Sequence, residues 1–377
     1  MAKKLRVGIL FGGRSGEHEV SLLSAASILK AIDRKKFDVV PIGITKTGRW
    51  LTEGNAQALL AGTSPEVLSP ASLVPSDAVT ALVPDAVSLG SGKLDVVFPV
   101  LHGTFGEDGT IQGLFELADT AYVGSGVLGS SAGMDKDVMK RLFAQAKLPI
   151  VKHLTVLRTA WEASPRKTMA AIEAALKYPL FVKPANLGSS VGISKVHDRK
   201  ELAPALSLAA KYDRKIVIEE GVAGKGKSRT TTKARELEVA VLGNDDPKAS
   251  VVGEIVPGKE FYDYEAKYLS DGSIPIIPAK ITTAESKQIR AMAVEAFRAC
   301  DLAGLARVDF LMEPDGKRRI YLNEVNTLPG FTSISMYPKL WQATGLSYAD
   351  LITHLIELAL ERYKERSRTT FSLEGIQ

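Results

Sequence analysis

Cysteine is almost absent: Cys300 stands alone among 377 residues. One thiol cannot staple the chain, which fits a protein kept in a reducing compartment such as the cytoplasm. Cys300 ends a helical run, ESKQIRAMAVEAFRAC, and is expected to act as a small buried hydrophobe. Long apolar runs are missing as well. None approaches the roughly 20 residues that a membrane-spanning helix needs. MAKKLRVGILFGG has the lysines and apolar run of a leader, but glycines and charges follow with no small-residue cleavage site. It reads as a first strand. The five histidines do not form a metal-ligand pattern. The net charge of +5 is mild for this length, so it suits anionic small molecules and gives no sign of a nucleic-acid surface. A 45% hydrophobic, 24% charged composition is that of a globular protein, long enough for two or three domains.

LRVGIL, FDVVPIGIT and LDVVFPVL read as strands, EVSLLSAASILKAI and IQGLFELAD as helices, and AYVGSG as strand-like. This alternation predicts an α/β domain with a largely parallel sheet, placed at residues 1–133. The helix MDKDVMKRLFAQAK and a linker with Pro149 open a second domain, 134–221. It holds two strands in PLFVKPANLGSSVGISKV, a helix in KELAPALSLAAKY and a strand in KIVIEE. A third domain, 222–377, carries ELEVAVLGN, SVVGEIVPG, a helix over 284–300, a hairpin and the amphipathic run YADLITHLIELALERYKER. The tail after Arg366 is polar and expected to fray.

Chemistry concentrates in the hairpin RVDFLMEPDGKRRIYLNEVNTLPG. Pro314 and Asp315-Gly316 signal the reversal. Side chains two apart on a strand share a face, so Arg307 lies beside Asp309 and Glu324 beside Asn326. Folding the hairpin brings Asp309 within a residue or two of Glu324. Carboxylates this close repel, and a divalent cation removes the conflict. An all-oxygen set without His or Cys suits Mg²⁺ or Mn²⁺. The plainer alternative is a solvated face on which Arg307 pairs with Asp309.

Three other stretches invite a ligand. KPANLGSSVG has little side-chain bulk around its backbone N–H groups, so it can cradle an anion that Lys183 also reaches; an ordinary turn reads the same way. GVAGKGKS matches the phosphate-loop pattern with Lys227, yet a working loop of that kind runs into a helix, and RTTTKARELEVAV reads as loop and then strand. GKEFYDYEAKYLSDGS is polar with four aromatics and reads as a lid or as a surface excursion. GGRSGEHEVS lacks the dinucleotide-binding spacing, but Glu17 follows a first strand, where open α/β sheets bind ligands. His102 sits at another strand end.

Taken together, these segments closely resemble the D-alanine–D-alanine ligase family of the ATP-grasp superfamily. The likeness runs from GGRSGEHEVS through HGTFGEDGTIQG, MDKDVMK, FVKPANLGSSVG, FYDYEAKY and GLARVDF to NEVNTLPGFTSISMYPKLW. It implies a three-domain ATP-grasp fold, α/β with α+β character in the C-terminal part and a parallel sheet in the N-terminal domain. It implies ATP-dependent joining of two D-alanines through a D-alanyl phosphate, for peptidoglycan precursor synthesis, by a cytoplasmic homodimer. Asp309, Glu324 and Asn326 would hold two Mg²⁺ or Mn²⁺ ions. Arg307 and Gly330 would stabilise the tetrahedral intermediate, and Glu17 would hold the first ammonium. Ser189 and Tyr268 would hydrogen-bond to Glu17 and close the lid. Lys136, Lys183 and Lys267 would serve the nucleotide, Glu219 and Glu220 its adenine edge, and Glu236 its ribose. His102 and Glu107 would line the substrate pocket, and Ser333 and Ser335 would bind the second carboxylate.

Tyr268 in EAKYLSD favours an amine nucleophile over the hydroxyl of D-lactate and says less about D-serine. GKGKSRTTTKA is longer than the family's usual turn and is expected to be a surface loop that leaves ATP binding intact. Two other readings compete: a nucleotide-binding regulator without ligase chemistry, and an ATPase that uses Lys227.

Overall fold

The computed structural model describes residues 3–51, 53–62, 93–188, 191–222, 233–256, 273–332 and 334–370. Three sheets organise them. The first is built from β1 (Leu5–Gly12), α1 (His18–Ala31), β2 (Phe37–Ile44), β3 (Trp50–Leu51), α2 (Glu53–Leu60) and β4 (Val96–Val100), in the order β3-β2-β1-β4. β1 runs parallel to both β2 and β4, and β3 is antiparallel. A parallel sheet is covered on both faces, which is why β1 is buried without a break from Val7 to Gly12. Strand order reverses at β1. The crevice beyond β1 and β4 is therefore where 13–17 and 101–107 emerge side by side. AYVGSG contributes only an isolated bridge, Val97 to Tyr122, because Gly124 at φ 104 leads the chain away. α3 (Thr110–Leu117), α4 (Val127–Met134) and α5 (Lys136–Gln145) follow.

The second sheet comes from β5 (His153–Leu157), α6 (Arg158–Ala163), α7 (Pro165–Ala175), β6 (Leu180–Pro184), β7 (Ser194–Val196), α8 (Arg199–Tyr212) and β8 (Lys215–Glu220). Its order is β5-β8-β6-β7, antiparallel throughout. Leu180, Val182, Ile216 and Ile218 pack beneath Ile172 of α7 and Leu202 and Leu206 of α8.

β9 (Arg235–Gly243), β10 (Lys248–Val256), β11 (Ile274–Ile276), α9 (Thr283–Ala299), β12 (Gly304–Met312), β13 (Ile320–Asn326), α10 (Met336–Thr344) and α11 (Tyr348–Arg366) complete the chain. The third sheet has the order β11-β10-β9-β12-β13 and is antiparallel. One of its faces packs Val239, Val308 and Phe310 against Met139 and Phe143 of α5 and against Ile289 and Phe297 of α9. Cys300 lies in that core, and burial pushes its thiol up to about 12. On the other face Leu242, Ala240 and Leu305 share a core with Ile9 and Phe11 of β1 and with Leu355 of α11. Along that face the side chains turn polar: Leu305, Arg307, Asp309 on β12 and Leu242, Ala240, Glu238, Glu236 on β9. No helix of the described residues is long and apolar enough to cross a membrane.

Candidate active site

The polar part of that face lines a cavity of about 270 Å³, walled also by α4, the 102–107 segment, Gly188 and the 328–336 segment. The hairpin forms its floor. Gly316 at φ 66 makes the reversal, and Asp309 lies opposite Glu324, with Arg307 opposite Asn326. The register then slips by one residue at Asn323, which leaves Phe310 opposite Leu322. Glu238 lies on the other side of Asp309. Three carboxylates thus stand in one row across β9, β12 and β13, at neighbouring strand spacings of about 4.8 Å. Like charges placed so are destabilising. Arg307 answers this. Its Nε and Nη2 each donate to Asp309 at 2.7 Å, and its Nε stands 3.2 Å from Glu238 Oε2. Asn326 Nδ2 donates to Asp309 Oδ2 at 2.9 Å, and Lys136 Nζ lies 3.5 Å from Glu324. The arginine–aspartate pairing that sequence offered as the plainer alternative is present, beside the oxygen ligands of the metal reading.

Glu17 precedes α1 and is 9% exposed. Two glycines from different parts of the chain make room for it. A Cβ on Gly103, which has φ 73, would lie 2.5 Å from its Oε2, and one on Gly188 would lie 2.8 Å away. His102 Nδ1 donates to the Leu328 carbonyl at 2.9 Å and lies 3.7 Å from Glu107. Burial pushes the Glu107 carboxyl up to about 7, against the opposing pull of His102. Burial works to lower His102, and Glu107 and Glu17 outweigh it, so the imidazole is raised.

Lys183 and Glu219 sit behind this floor, on β6 and β8. Glu219 takes Lys183 Nζ on one oxygen and Lys140 Nζ on the other, each at 2.7 Å. Burial favours the neutral acid, yet Lys140 and Lys183 prevail and hold Glu219 well below its ordinary range. Burial lowers Lys140, whereas Lys183 is raised because Glu219 and Glu324 outweigh its own burial. Lys136 Nζ donates to the Leu187 carbonyl at 3.0 Å, which ties α5 to the start of the small-residue loop. Glu220 accepts the Lys177 N–H at 3.0 Å. Glu236 lies on β9 opposite Leu311 and Ile255.

At the far end, Gly330 approaches Ser335 closely: an added Cβ would lie 2.9 Å from its Oγ. Ser335 Oγ accepts the Thr332 N–H at 3.0 Å and stands at the N-terminus of α10, a natural place for a carboxylate. Ser189, Lys267, Tyr268 and Ser333 lie outside the described residues, as do Lys227 and most of its loop. On either side of that loop the chain is strand, β8 ending at Glu220 and β9 beginning at Arg235.

The cavity therefore gathers Glu17, His102, Glu107, Lys136, Arg307, Glu324, Asn326, Gly330 and Ser335. Lys183, Glu219, Glu220, Glu236 and Asp309 are not in its lining. Lys140 and Glu238, absent from the expected site residues, also belong to the site. Each had a signal: Lys140 follows Lys136 by one helical turn, and Glu238 alternates with Glu236 in a strand that is apolar from Val239 onward.

The chain matches the family model described as D-ala D-ala ligase N-terminus over residues 6–125 and that for the D-ala D-ala ligase C-terminus over 142–357. It is 49% identical to the D-alanine–D-alanine ligase of Bacillus cytotoxicus, covering 98% of this chain and 99% of that one. To the D-alanine–D-alanine ligase of Natranaerobius thermophilus it is 50% identical, with 98% of each covered. Among solved structures, the D-alanine–D-alanine ligase of Coxiella burnetii superposes with a TM-score of 0.80 at 34% identity, over 97% of both chains. The VanG D-Ala:D-Ser ligase of Enterococcus faecalis superposes with a TM-score of 0.79 at 38% identity, over 95% of this chain and all of that one. With two family models covering most of its length and relatives alike from end to end, the chain belongs to the D-alanine–D-alanine ligase family.

Proposed function

We propose that this protein joins two D-alanines into D-alanyl-D-alanine with ATP, releasing ADP and phosphate, in the cytoplasm and as a homodimer. One observation carries the reading: a carboxylate (Glu17), a guanidinium (Arg307), the metal-compatible side chains Glu324 and Asn326, and a helix N-terminus (Ser335) converge on one cavity of about 270 Å³. A single amino acid would need only the first two. The domains divide in this reading near residues 133 and 221, with nucleotide between the second and third.

The first D-alanine binds with its ammonium at Glu17 and its carboxylate toward the hairpin. A carboxylate oxygen attacks the γ-phosphorus of ATP, the bond to the β-phosphate oxygen breaks, and an acyl phosphate and ADP result. The amine of the second D-alanine, held by its carboxylate at Ser333, Ser335 and the start of α10, loses a proton and attacks the acyl carbon. Arg307 and the Gly330 backbone N–H face the oxygen that becomes negative. The C–O bond to phosphate then breaks and the dipeptide remains. Ser189 and Tyr268 close over the site, because an acyl phosphate left in water hydrolyses. Lys183 and Lys136 meet the phosphates, and Glu219, Glu220, Glu236 and Lys267 the rest of the nucleotide.

Asp309, Glu324 and Asn326 form a hard oxygen set suited to Mg²⁺ or Mn²⁺, and their crowding around Arg307 fits a place built for extra positive charge. Bound there, the cation neutralises charge on the phosphates during transfer. Asn326 meets Asp309 through its amide nitrogen, which leaves its oxygen for the metal.

The test is a competition among D-alanine, D-serine and D-lactate as second substrate, with products identified by mass. D-alanyl-D-alanine is the expected main product. A preference for D-serine would align this chain with the VanG enzyme instead, and the ester with D-lactate would contradict the weight placed on Tyr268.

A further inference from the structure

Serine is a poorer residue than alanine inside a helix, yet α1 carries Ser21, Ser24 and Ser27 at three-residue spacing on one side. Each is engaged with a different element. Ser21 Oγ accepts the Gly12 N–H at 2.7 Å and donates to the Val100 carbonyl, joining the ends of β1 and β4. Ser24 has no exposed surface. Its Oγ accepts the Phe331 N–H at 3.2 Å and meets His102 Nε2 at 3.2 Å. Ser27 Oγ meets the Tyr348 hydroxyl at 3.0 Å, and that hydroxyl donates to the Phe331 carbonyl at 2.7 Å.

Both polar backbone groups of Phe331 are therefore held, one by α1 directly and one by Tyr348 of α11. The Leu328 carbonyl is held by His102. Only Pro329, with its fixed φ, and Gly330 lie between these anchors. Gly330 has the freest backbone of any residue type, and here its freedom is removed by its neighbours. The Phe331 ring, 2% exposed, adds contacts with the rings of Phe98, Tyr337 and Tyr348 at centroid distances of 6.0, 5.6 and 5.9 Å.

We propose that Ser24 and Tyr348 are positioning residues that fix Gly330, and that α1 thereby sets the distance between the oxyanion site and Glu17. Glu17 precedes the same helix by about two turns from Ser24, roughly 10 Å along the axis. One rigid element thus spans the two groups that grip the first substrate at its ammonium and at its reacting carbon. The proposal rests on the ligase reading of Glu17 and Gly330. Neither Ser24 nor Tyr348 lines the cavity, so both act through the backbone they hold.

Ser24→Ala and Tyr348→Phe, singly and together, test it. The measurements are kcat, the KM for ATP, thermal unfolding and amide exchange in the peptide spanning 327–332. Displacement of a catalytic group by about 1 Å costs up to ~100-fold, so each single variant is expected to lose about tenfold in kcat. The KM for ATP should stay within about twofold, since the nucleotide contacts lie elsewhere. The Phe331 amide should exchange faster, and the double variant should lose less than the product of the two single effects, because both contacts hold one residue, Phe331. Faster exchange with kcat unchanged in both variants would overturn the proposal. So would a kcat loss that vanishes at temperatures where the variants are fully folded. Absence of D-alanine-dependent turnover in the unsubstituted protein would overturn the ligase reading, and this proposal with it. Turnover there, with both variants unaffected, would overturn this proposal alone.

Discussion

Glu107 is a buried carboxyl shifted upward from its ordinary range. Burial raises it to about 7, and Glu17 nearby adds to the effect. Above that pH it is an anion lining the cavity in which Glu17 is proposed to hold an ammonium group. The acid limb of kcat/KM for D-alanine should therefore rise through about pH 7, and Glu107→Gln should remove or shift that limb. The same raised value carries a stability sign. Folded Glu107 holds its proton more tightly than the unfolded chain does, so the contribution is present below the ordinary 4.5 and lost as pH rises through about 7. Glu219 has the opposite sign, with stability present above 4.5 and lost as pH falls below it. Lys140→Met tests that ion group from the other side. It removes one of two cations from a carboxylate that is 2% exposed, and should cost about 3 kcal/mol in urea unfolding, because Lys183 still faces Glu219. At this scale the hairpin residues were legible because a polar residue in a strand has no cheap explanation. Lys140 offered only its one-turn spacing from Lys136, which is ordinary for a helical lysine until its burial is known.

Helix boundaries depend on local chemistry, and α9 shows it. Thr282 accepts the Glu285 N–H, and Glu285 reaches back to the Thr282 N–H at 2.8 Å, which closes a capping box. Glu285 also pairs with Arg318 from the hairpin at 2.6 Å, and that guanidinium holds its carboxyl down at about 2. Thr282→Ala should cost about 1 kcal/mol, read by chemical denaturation. Glu285→Ala should cost more, since it breaks both contacts. The sequence showed most elements through apolar periodicity, and the hairpin through Pro314 and Asp315-Gly316. It did not show the slip at Asn323, because a one-residue bulge leaves no mark in composition. AYVGSG has a strand's side chains, but its strand ends after one bridge.

Across the whole molecule, the site is a meeting of parts far apart in sequence. Glu17 comes from the segment after β1 of the first sheet, Lys136 from the helix after α4, Gly188 from the loop after β6 of the second sheet and Arg307 from β12 of the third. Single-sequence periodicity places each on its element and says nothing of their meeting; the family likeness supplied that. α11 holds the assembly from behind. Arg362 lies 4.2 Å from the Tyr122 ring centroid, and Arg366 pairs with Asp119 at 2.9 Å, so the C-terminal helix is fastened to the first sheet's end of the molecule. In the proposed reaction this cavity couples ATP cleavage to a D-amino acid. Phosphate release by the purified protein with ATP and Mg²⁺, with D-alanine supplied or left out, tests it most directly. Release is expected only when D-alanine is present, with D-alanyl-D-alanine formed in step with phosphate. Equal release without any amino acid would contradict that coupling and favour an ATPase that uses Lys227.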